Sequence, residues 1–572
     1  MRDRVRSHLD VIYPDHDTAA LAEACIVAIG AGITAAQPDQ DGESSQPWDE
    51  ADAVCITYGD SLVRADEHPL LTLGKFANER LTGAVSALHV LPFFPSSSDF
   101  GFSVIDFHAI DPRLGDWDDI TALAEDFDLM VDLILNHTSA KSPWFQQFLA
   151  DELPGSKFFI EADVDADYSA VVRPRAQPLL SKVDTAAGPK HVWCTFSPDQ
   201  VDVDFSNPDV LVEYLRILDR YLNAGARLLR LDAVAFIWKE LGTKCIHLPK
   251  THEIVKLFRT LLAVRSPRTV LITETNVPNH ENLSYFGDGD EAHTIYNFSL
   301  PPMVVHTLLT GSADALSEWV ESVPPAPQGC TYLNFLASHD GLGVRPVEQI
   351  LTTSQIDNLV DAAHHRGGSH SLYSTESGDR PYELNVSLFD LLSGLPGQES
   401  SHSVERFVCA HAIMFALEGI PALYIHSLLG TSNDHDAVSR TGIDRAINRA
   451  NLSYEAVGVE LDQPESVRAQ VFDKLTALLR LRREQPAFHP HATQSTLDLS
   501  DTLFGVLRQS EDRNQSLFAI CNVTDQPQML SLTNLNLATA ENCRELVADK
   551  ELDTEARSLQ LAPYGIAWIS NR

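Results

Sequence analysis

Basic residues are scarce in this chain of 572 residues. It contains 42 Lys and Arg against 80 Asp and Glu, which gives a formal net charge of -38. An acidic surface repels the phosphates of nucleic acids and the headgroups of anionic membranes, so we expect neither as a partner. With 44% hydrophobic residues the chain is globular and not an acidic disordered segment. We interpret the acidic surface as a means of staying soluble in a salty cytoplasm.

Cysteine is sparse, and long apolar runs are missing. The eight cysteines stand singly, without a Cys-x-x-Cys pair or metal-ligand spacing, which predicts reduced thiols. The amino terminus lacks the apolar segment of a secretory signal, and no apolar stretch reaches membrane-spanning length. The acidic stretch 161–167 is predicted to be a solvated loop and not a calcium site. The sequence predicts a cytoplasmic protein that needs no metal and no cofactor.

Apolar runs alternate with amphipathic stretches along most of the chain. The stretch 211–222, for example, carries apolar residues at helical spacing between two such runs. Eight strands joined by helical crossovers predict an α/β fold, a parallel (β/α)8 TIM barrel. The eight candidate strands are 53–58, 86–91, 129–135, 227–231, 269–273, 294–297, 332–336 and 422–425.

Two gaps between predicted strands are too long for simple crossovers, and they set the predicted domain organisation. Long excursions at the carboxyl ends of barrel strands are typical of lids and binding loops. Short alternating segments near the carboxyl terminus predict an antiparallel β-domain. We expect a first part of the catalytic barrel at 1–137, a loop-rich inserted subdomain at 138–200, the remainder of the barrel at 201–487 with an acceptor-loop insertion at about 341–400, and the β-domain at 488–572.

Three acidic residues, Asp232, Glu274 and Asp340, each stand at the end of an apolar run. The carboxyl ends of barrel strands form the face where such folds keep their chemistry, so we expect the three carboxylates in one site. Cleavage of an acetal bond with retention requires a nucleophile and an acid/base, and a third negative charge stabilises the cationic transition state. Each acid alone is equally explained as a strand or helix cap, but the three together favour an active site.

Neighbouring residues support this interpretation. Arg230 lies two residues before Asp232, so both side chains point to the same side of a strand, where the guanidinium keeps Asp232 ionised. Apolar neighbours are expected to raise the pKa of Glu274, which suits a general acid. His137 and His339 stand beside the strand ends and provide donors for sugar hydroxyls.

Four ordered segments resemble the signature regions of the α-amylase superfamily of retaining enzymes. They are residues 132–137, 227–233, 273–275 and 335–340. The resemblance implies Asp232 as nucleophile, Glu274 as acid/base and Asp340 as transition-state stabiliser. It also implies that the glucosyl pocket is lined by His137, Arg230 and His339.

Further segments resemble the sucrose phosphorylase branch of this superfamily. They are residues 99–106, 114–118, 201–205, 242–245 and 444–449. Asp99 and Arg445 then match the pair that grips the far edge of the glucose, which implies a small closed pocket. Enzymes of this branch transfer a glucosyl group to inorganic phosphate and release α-glucose 1-phosphate. The partners implied are a small glucoside and phosphate, and the protein is expected to be a monomer or a homodimer.

Phosphate requires cationic or hydroxyl donors near the acceptor position. Each candidate is equally explained as a solvated surface residue, but their concentration in an acidic chain favours a shared role. The candidates in the insertion are Arg345, His364, His365, Arg366, Arg380 and Tyr382.

The leaving group depends on the residues around Tyr382. Sucrose enzymes of the branch carry Gln after this Tyr, whereas Glu383 follows it here, as in phosphorylases acting on glucosylglycerol or glucosylglycerate. Glycerate requires a cation, for which Arg380 is the candidate, and glycerol requires hydroxyl partners such as Glu383. An unpaired Glu383 would disfavour an anion, so we favour glucosylglycerol, a compatible solute. Glucosylglycerate, sucrose, sucrose 6-phosphate, an α-glucoside hydrolase, a transglucosylase and a binding protein without turnover remain alternatives.

Overall fold

Eight parallel strands close into a barrel, as the apolar runs predict. In this computed structural model each strand pairs with the next in the chain, and the eighth closes on the first. The barrel strands are β1 (Val54–Thr57), β2 (Ala87–Val90), β3 (Asp128–Ile134), β4 (Ala226–Asp232), β5 (Val270–Thr273), β6 (Thr294–Tyr296), β7 (Thr331–Phe335) and β8 (Ile420–Tyr424). The structure describes residues 1–31, 47–175, 177–375, 378–395, 401–533, 535, 543–552 and 557–571.

The register of β3 and β4 brings charged residues together at the carboxyl face. Asp132 on β3 pairs with Arg230 on β4, and Ile134 pairs with Asp232. Asp132, Arg230 and Asp232 therefore lie next to one another on two adjacent strands. Thr273 at the end of β5 pairs with Leu231, which puts Glu274 beside the end of β4. Strand pairing therefore brings Asp232 and Glu274 together at one end of the barrel.

Helices surround the barrel and connect its strands. The helix before β4 begins after Asn207, whose side chain caps it, and has proline in its first turn, where the missing amide is tolerated. The helices are Arg2–Ile12, Thr18–Ala28, Pro69–Phe76, Trp117–Asp126, Pro143–Ala150, Pro208–Asn223, Pro249–Arg265, Asn279–Leu283, Leu300–Thr310, Asp314–Ser322, Thr353–His365, Leu388–Leu392, Ser403–Ala416, Ile425–Leu428, His435–Thr441, Tyr454–Leu461 and Val467–Arg482. No helix in the described ranges is long and apolar enough to cross a membrane.

Both long gaps hold additional strands. After β3, the strand His137–Ser139 pairs with Gln200–Asp202, and Leu180–Thr185 forms a hairpin with Gly188–Trp193. After β7, a three-stranded sheet forms in the predicted acceptor-loop insertion. Its strands are Leu342–Gly343, Ser369–Thr375 and Gly378–Asn385. We call the last two strands the acceptor hairpin, which carries Tyr382 and Glu383.

Antiparallel strands form the carboxyl-terminal part, as predicted. Two buried arginines attach it to the barrel: Arg482 donates to the carbonyls of Gly419 and Phe488, both at 3.1 Å, and Arg508 donates to that of Ala416 at 2.9 Å. The exact domain bounds stay predictions. The strands are Thr493–Thr496, Leu503–Gln509, Ser516–Asn522, Gln528–Ser531, Arg544–Glu545, Lys550–Glu551, Ser558–Leu561 and Ile566–Ser570, and a separate pair joins Leu62–Val63 to Leu452–Ser453.

Candidate active site

One narrow pocket at the carboxyl face of the barrel collects most of the predicted site residues. Its cavity has a volume of about 80 Å³. Three predicted residues, Arg345, Arg380 and Glu383, do not line it. Those that do are Asp99, His137, Arg230, Asp232, Glu274, His339, Asp340, Tyr382 and Arg445.

Arg230 lies between the two predicted reacting carboxyl groups. Its Nη1 is 2.8 Å from Asp232 Oδ1, whereas its Nη2 is 4.0 Å from Glu274 Oε2. It also forms an ion pair with Asp132, which in turn lies 2.9 Å from His89. The guanidinium is 3% exposed, so its interactions are poorly screened by water. The ion pair with Asp132 thus fixes the Arg230 guanidinium in the position from which it lines the pocket.

Burial raises the pKa of both Asp232 and Glu274. Arg230 opposes that rise, and it is closer to Asp232 than to Glu274. Of the two carboxyl groups, Asp232 makes the closer contact with the Arg230 guanidinium, and that contact favours its ionised form. The backbone N–H of Ala233 donates to Glu274 at 3.3 Å and fixes its position.

Asp340 lies beside two arginines and a histidine. Its Oδ1 lies 2.7 Å from Arg445 Nη1 and 3.7 Å from Arg449 Nη2, and its Oδ2 lies 3.5 Å from His339 Nε2. Burial would raise the pKa of Asp340, but Arg445 and its neighbours hold that pKa well below the ordinary range. This carboxylate therefore stays anionic in the pocket.

The loop that carries Asp340 is fastened by the segment after β8. Asn448 donates to the carbonyl of Ser338 at 2.8 Å, and Arg449 Nε donates to that of His339 at 2.7 Å. The ring of His339 stacks on Phe102 with centroids 4.8 Å apart. These contacts fix the orientation of both His339 and Asp340.

The two histidines of the pocket are neutral. Burial lowers the pKa of His137 to about 4 and that of His339 to about 3. The Nε2–H of His137 donates a hydrogen bond to the carbonyl of Phe102 at 3.1 Å. Neutral imidazoles add no positive charge beside a cationic transition state.

Asp99 and Arg445 both line the pocket, and each also has partners within the protein. Asp99 Oδ2 accepts from Gln200 at 3.1 Å and lies 3.3 Å from Arg175. Arg445 instead makes a two-point contact with Glu383, through Nε to Oε1 at 2.8 Å and Nη2 to Oε2 at 2.6 Å. Glu383 lies behind Arg445, with both oxygens engaged, and does not face the pocket as a hydroxyl partner would.

The predicted phosphate candidates of the insertion are dispersed. Tyr382 alone lines the pocket, where burial and then Glu383 raise its pKa to about 12, so its hydroxyl stays protonated. Arg345 lies over the ring of Tyr373 at 5.4 Å, and Arg380 pairs with Tyr373 in the acceptor hairpin. The rest lie away from the pocket wall: His364, His365 and Arg366.

Arg175 is a pocket cation that the sequence analysis missed. It lies in the inserted subdomain, over the ring of Phe196 at 5.6 Å, and its side chain is 36% exposed. The sequence signal is two arginines that flank Pro174, after the acidic stretch 161–167. The other pocket residues that were missed are Phe102, Pro174, Phe196, Gln200, Ala233 and Asn276.

Comparison with known proteins agrees with this geometry. Residues 83–343 match the family model of the α-amylase catalytic domain. The chain is 44% identical to the glucosylglycerate phosphorylase of Allomeiothermus silvanus, over 100% of this chain and 98% of that protein. It is 29% identical to the glucosylglycerol phosphorylase of Marinobacter adhaerens, over 72% of this chain and 83% of that protein.

A solved structure gives the same result for the fold. The sucrose 6F-phosphate phosphorylase from Thermoanaerobacter thermosaccharolyticum superposes with a TM-score of 0.73 at 26% identity, covering 85% of this chain and 95% of that one. The chain therefore belongs to the α-amylase family, among its glucoside phosphorylases.

Proposed function

We propose that this protein transfers the glucosyl group of glucosylglycerate to inorganic phosphate, giving α-glucose 1-phosphate and glycerate. The observation that carries the choice of glycerate is the two-point ion pair between Glu383 and Arg445. Because Arg445 neutralises Glu383, that carboxylate does not repel an anionic leaving group.

This proposal replaces the glucosylglycerol favoured by the sequence. That expectation assumed an unpaired Glu383 with oxygens free to accept from glycerol hydroxyls. The comparisons favour the alternative, since identity is 44% to the glucosylglycerate phosphorylase and 29% to the glucosylglycerol phosphorylase. The acidic composition describes the surface and carries no information on the leaving group.

In the first half of the proposed reaction, Asp232 attacks the anomeric carbon and the bond to the glycerate oxygen breaks. Glu274 donates its proton to that oxygen, so neutral hydroxyl and not alkoxide leaves. Arg230, at 2.8 Å, keeps the charge on Asp232 until the bond forms. The anionic Asp340 stabilises the positive charge that develops on the sugar ring.

In the second half, a phosphate oxygen attacks the anomeric carbon while the bond to Asp232 breaks. Two inversions leave the product in the α configuration. Phosphate is already an anion and requires less help from a base than water does. The leaving glycerate carboxylate and the incoming phosphate are both anions, and Arg175 on the pocket wall suits both in turn.

The test is an assay of α-glucose 1-phosphate formation with four donors: glucosylglycerate, glucosylglycerol, sucrose and sucrose 6-phosphate. We expect glucosylglycerate to give the highest kcat/KM in the presence of phosphate. A higher value with glucosylglycerol would return the choice to the sequence prediction. Release of free glucose at equal rates with and without phosphate would replace the phosphorylase by a hydrolase. Action in the cytoplasm, as a monomer or homodimer, is proposed from the sequence alone.

A further inference from the structure

Three side chains form a continuous charged chain from the acceptor hairpin to the glucosyl pocket. Glu383 holds the Nε and Nη2 of Arg445, at 2.8 and 2.6 Å, and the remaining Nη1 of Arg445 lies 2.7 Å from Asp340 Oδ1. The Glu383 side chain is 2% exposed, so water competes little for these contacts. Because the guanidinium is planar, hydrogen bonds to Nε and Nη2 along one edge also fix the direction of Nη1.

The backbone reinforces this chain. The strand Leu342–Gly343 follows Asp340 directly and pairs with the acceptor hairpin, with Gly343 opposite Glu383. Gly341 lies so close that a Cβ there would stand 2.5 Å from both Glu383 Cγ and the carbonyl oxygen of Leu384. The loop of Asp340 and the base of the hairpin are therefore packed as one unit.

We propose that Glu383 is a positioning residue, which holds Arg445 so that Arg445 orients Asp340, and that it thereby couples the acceptor hairpin to glucosyl transfer. Glu383 touches neither sugar nor leaving group in this role. It acts on the step in which charge develops on the glucosyl ring, whatever group departs. The inference rests on the proposed function, because it takes Asp340 as the stabiliser of that charge.

α-Glucosyl fluoride separates this role from direct recognition of the leaving group. Fluoride departs without glycerate, so a residue that only contacts glycerate does not affect this donor. Glu383→Gln keeps the shape of the side chain but replaces one acceptor oxygen by a donor that cannot bond Arg445. We expect its rate of fluoride release at saturating donor to fall at least about tenfold, with a smaller change in KM.

The matched control is Glu348→Gln, which removes a carboxylate that accepts from Tyr373 of the same hairpin at 2.6 Å but lies outside the pocket lining. We expect it to release fluoride at the wild-type rate. An unchanged rate in Glu383→Gln, with only the KM for glucosylglycerate raised, would overturn the positioning role in favour of leaving-group contact.

A double-mutant cycle with Asp340→Asn tests whether Glu383 acts through Asp340. If it does, Glu383→Gln adds little further loss in the Asp340→Asn background. An equal factor in both backgrounds would show that the two residues act independently and would contradict the proposal. The wild-type enzyme provides the separate test of the proposed function: if it forms no α-glucose 1-phosphate from α-glucosyl fluoride and phosphate, glucosyl transfer itself is wrong.

Discussion

Arg230 contacts both of the carboxyl groups that we propose take part in the reaction. It is 1.2 Å closer to Asp232 than to Glu274, the difference between contacts of 2.8 and 4.0 Å. In a buried site an opposite charge at hydrogen-bond distance favours the ionised form more than one at 4 Å. We propose that this one guanidinium gives the two carboxylic acids different roles.

This division predicts a pH dependence. Burial raises the pKa of Glu274, so as pH rises through that raised value the acid loses its proton and cleavage of glucosylglycerate slows. As pH falls, Asp232 becomes protonated and activity is lost on the acidic side. We expect the basic limb of kcat/KM to lie above the ordinary glutamate value of about 4.3. With α-glucosyl fluoride, which needs little protonation, that limb should flatten.

The control for this profile is Glu274→Gln. It should lower the rate on glucosylglycerate by a factor of roughly 10² to 10⁴, the usual contribution of a general acid. The rate of fluoride release from α-glucosyl fluoride should fall much less. If the basic limb persists unchanged in Glu274→Gln, another group titrates there and the assignment of the acid is wrong.

Arg175 gives a second prediction at the scale of single residues. Arg175→Gln should raise the KM for phosphate and for glucosylglycerate at least about tenfold, because a contact between opposite charges is lost at the pocket. The KM for glucosylglycerol should change much less. Arg173→Gln is the matched control, since Arg173 is exposed, two residues away, and outside the pocket lining. Equal losses on both glucosides would assign Arg175 to phosphate alone.

At the scale of elements, Gly341 connects the loop after β7 to the acceptor hairpin. Gly341→Ala places a methyl group against Glu383 and the Leu384 carbonyl at 2.5 Å, so the hairpin base must shift. We expect a loss of unfolding free energy of about 1–3 kcal/mol and a lower kcat. Gly458→Ala is the control: a Cβ there meets no atom within 4 Å, and the helix Tyr454–Leu461 should gain stability. Wild-type kcat in Gly341→Ala would contradict close packing at this point.

The elements differ in how far the sequence predicts them. All eight barrel strands are predicted from the sequence, because strands buried on both faces consist of nearly continuous apolar residues, as in β7 and β8. The acceptor hairpin is not, since its stretch carries Gly, Ser and His without a clear period. The pairing of Glu383 with Arg445 joins residues 62 apart, so only the folded structure reveals it. That one contact changed the expected substrate.

At the scale of the whole molecule, buried Arg482 ties the barrel to its neighbours, and among the described residues it forms no ion pair with a carboxylate. It donates to carbonyls of Phe415, Glu50, Asp52, Gly419 and Phe488. Arg482→Met leaves these acceptors unpaired, and we expect a loss of roughly 3–5 kcal/mol, read as a lower denaturant midpoint. Arg480→Met, exposed on the same helix, should leave the midpoint nearly unchanged. Equal denaturant midpoints for both variants would show that Arg482 does not join the barrel to the carboxyl-terminal part.

The central claim for the molecule is phosphorolysis of glucosylglycerate with retention at Asp232. The most direct measurement follows the reaction with phosphate by proton NMR, which distinguishes the two anomers of glucose 1-phosphate from free glucose. We predict that the α anomer of glucose 1-phosphate appears first, in equal amount with glycerate, and that Asp232→Ala forms none. Appearance of the β anomer, or of free glucose in place of the phosphate ester, would contradict the account.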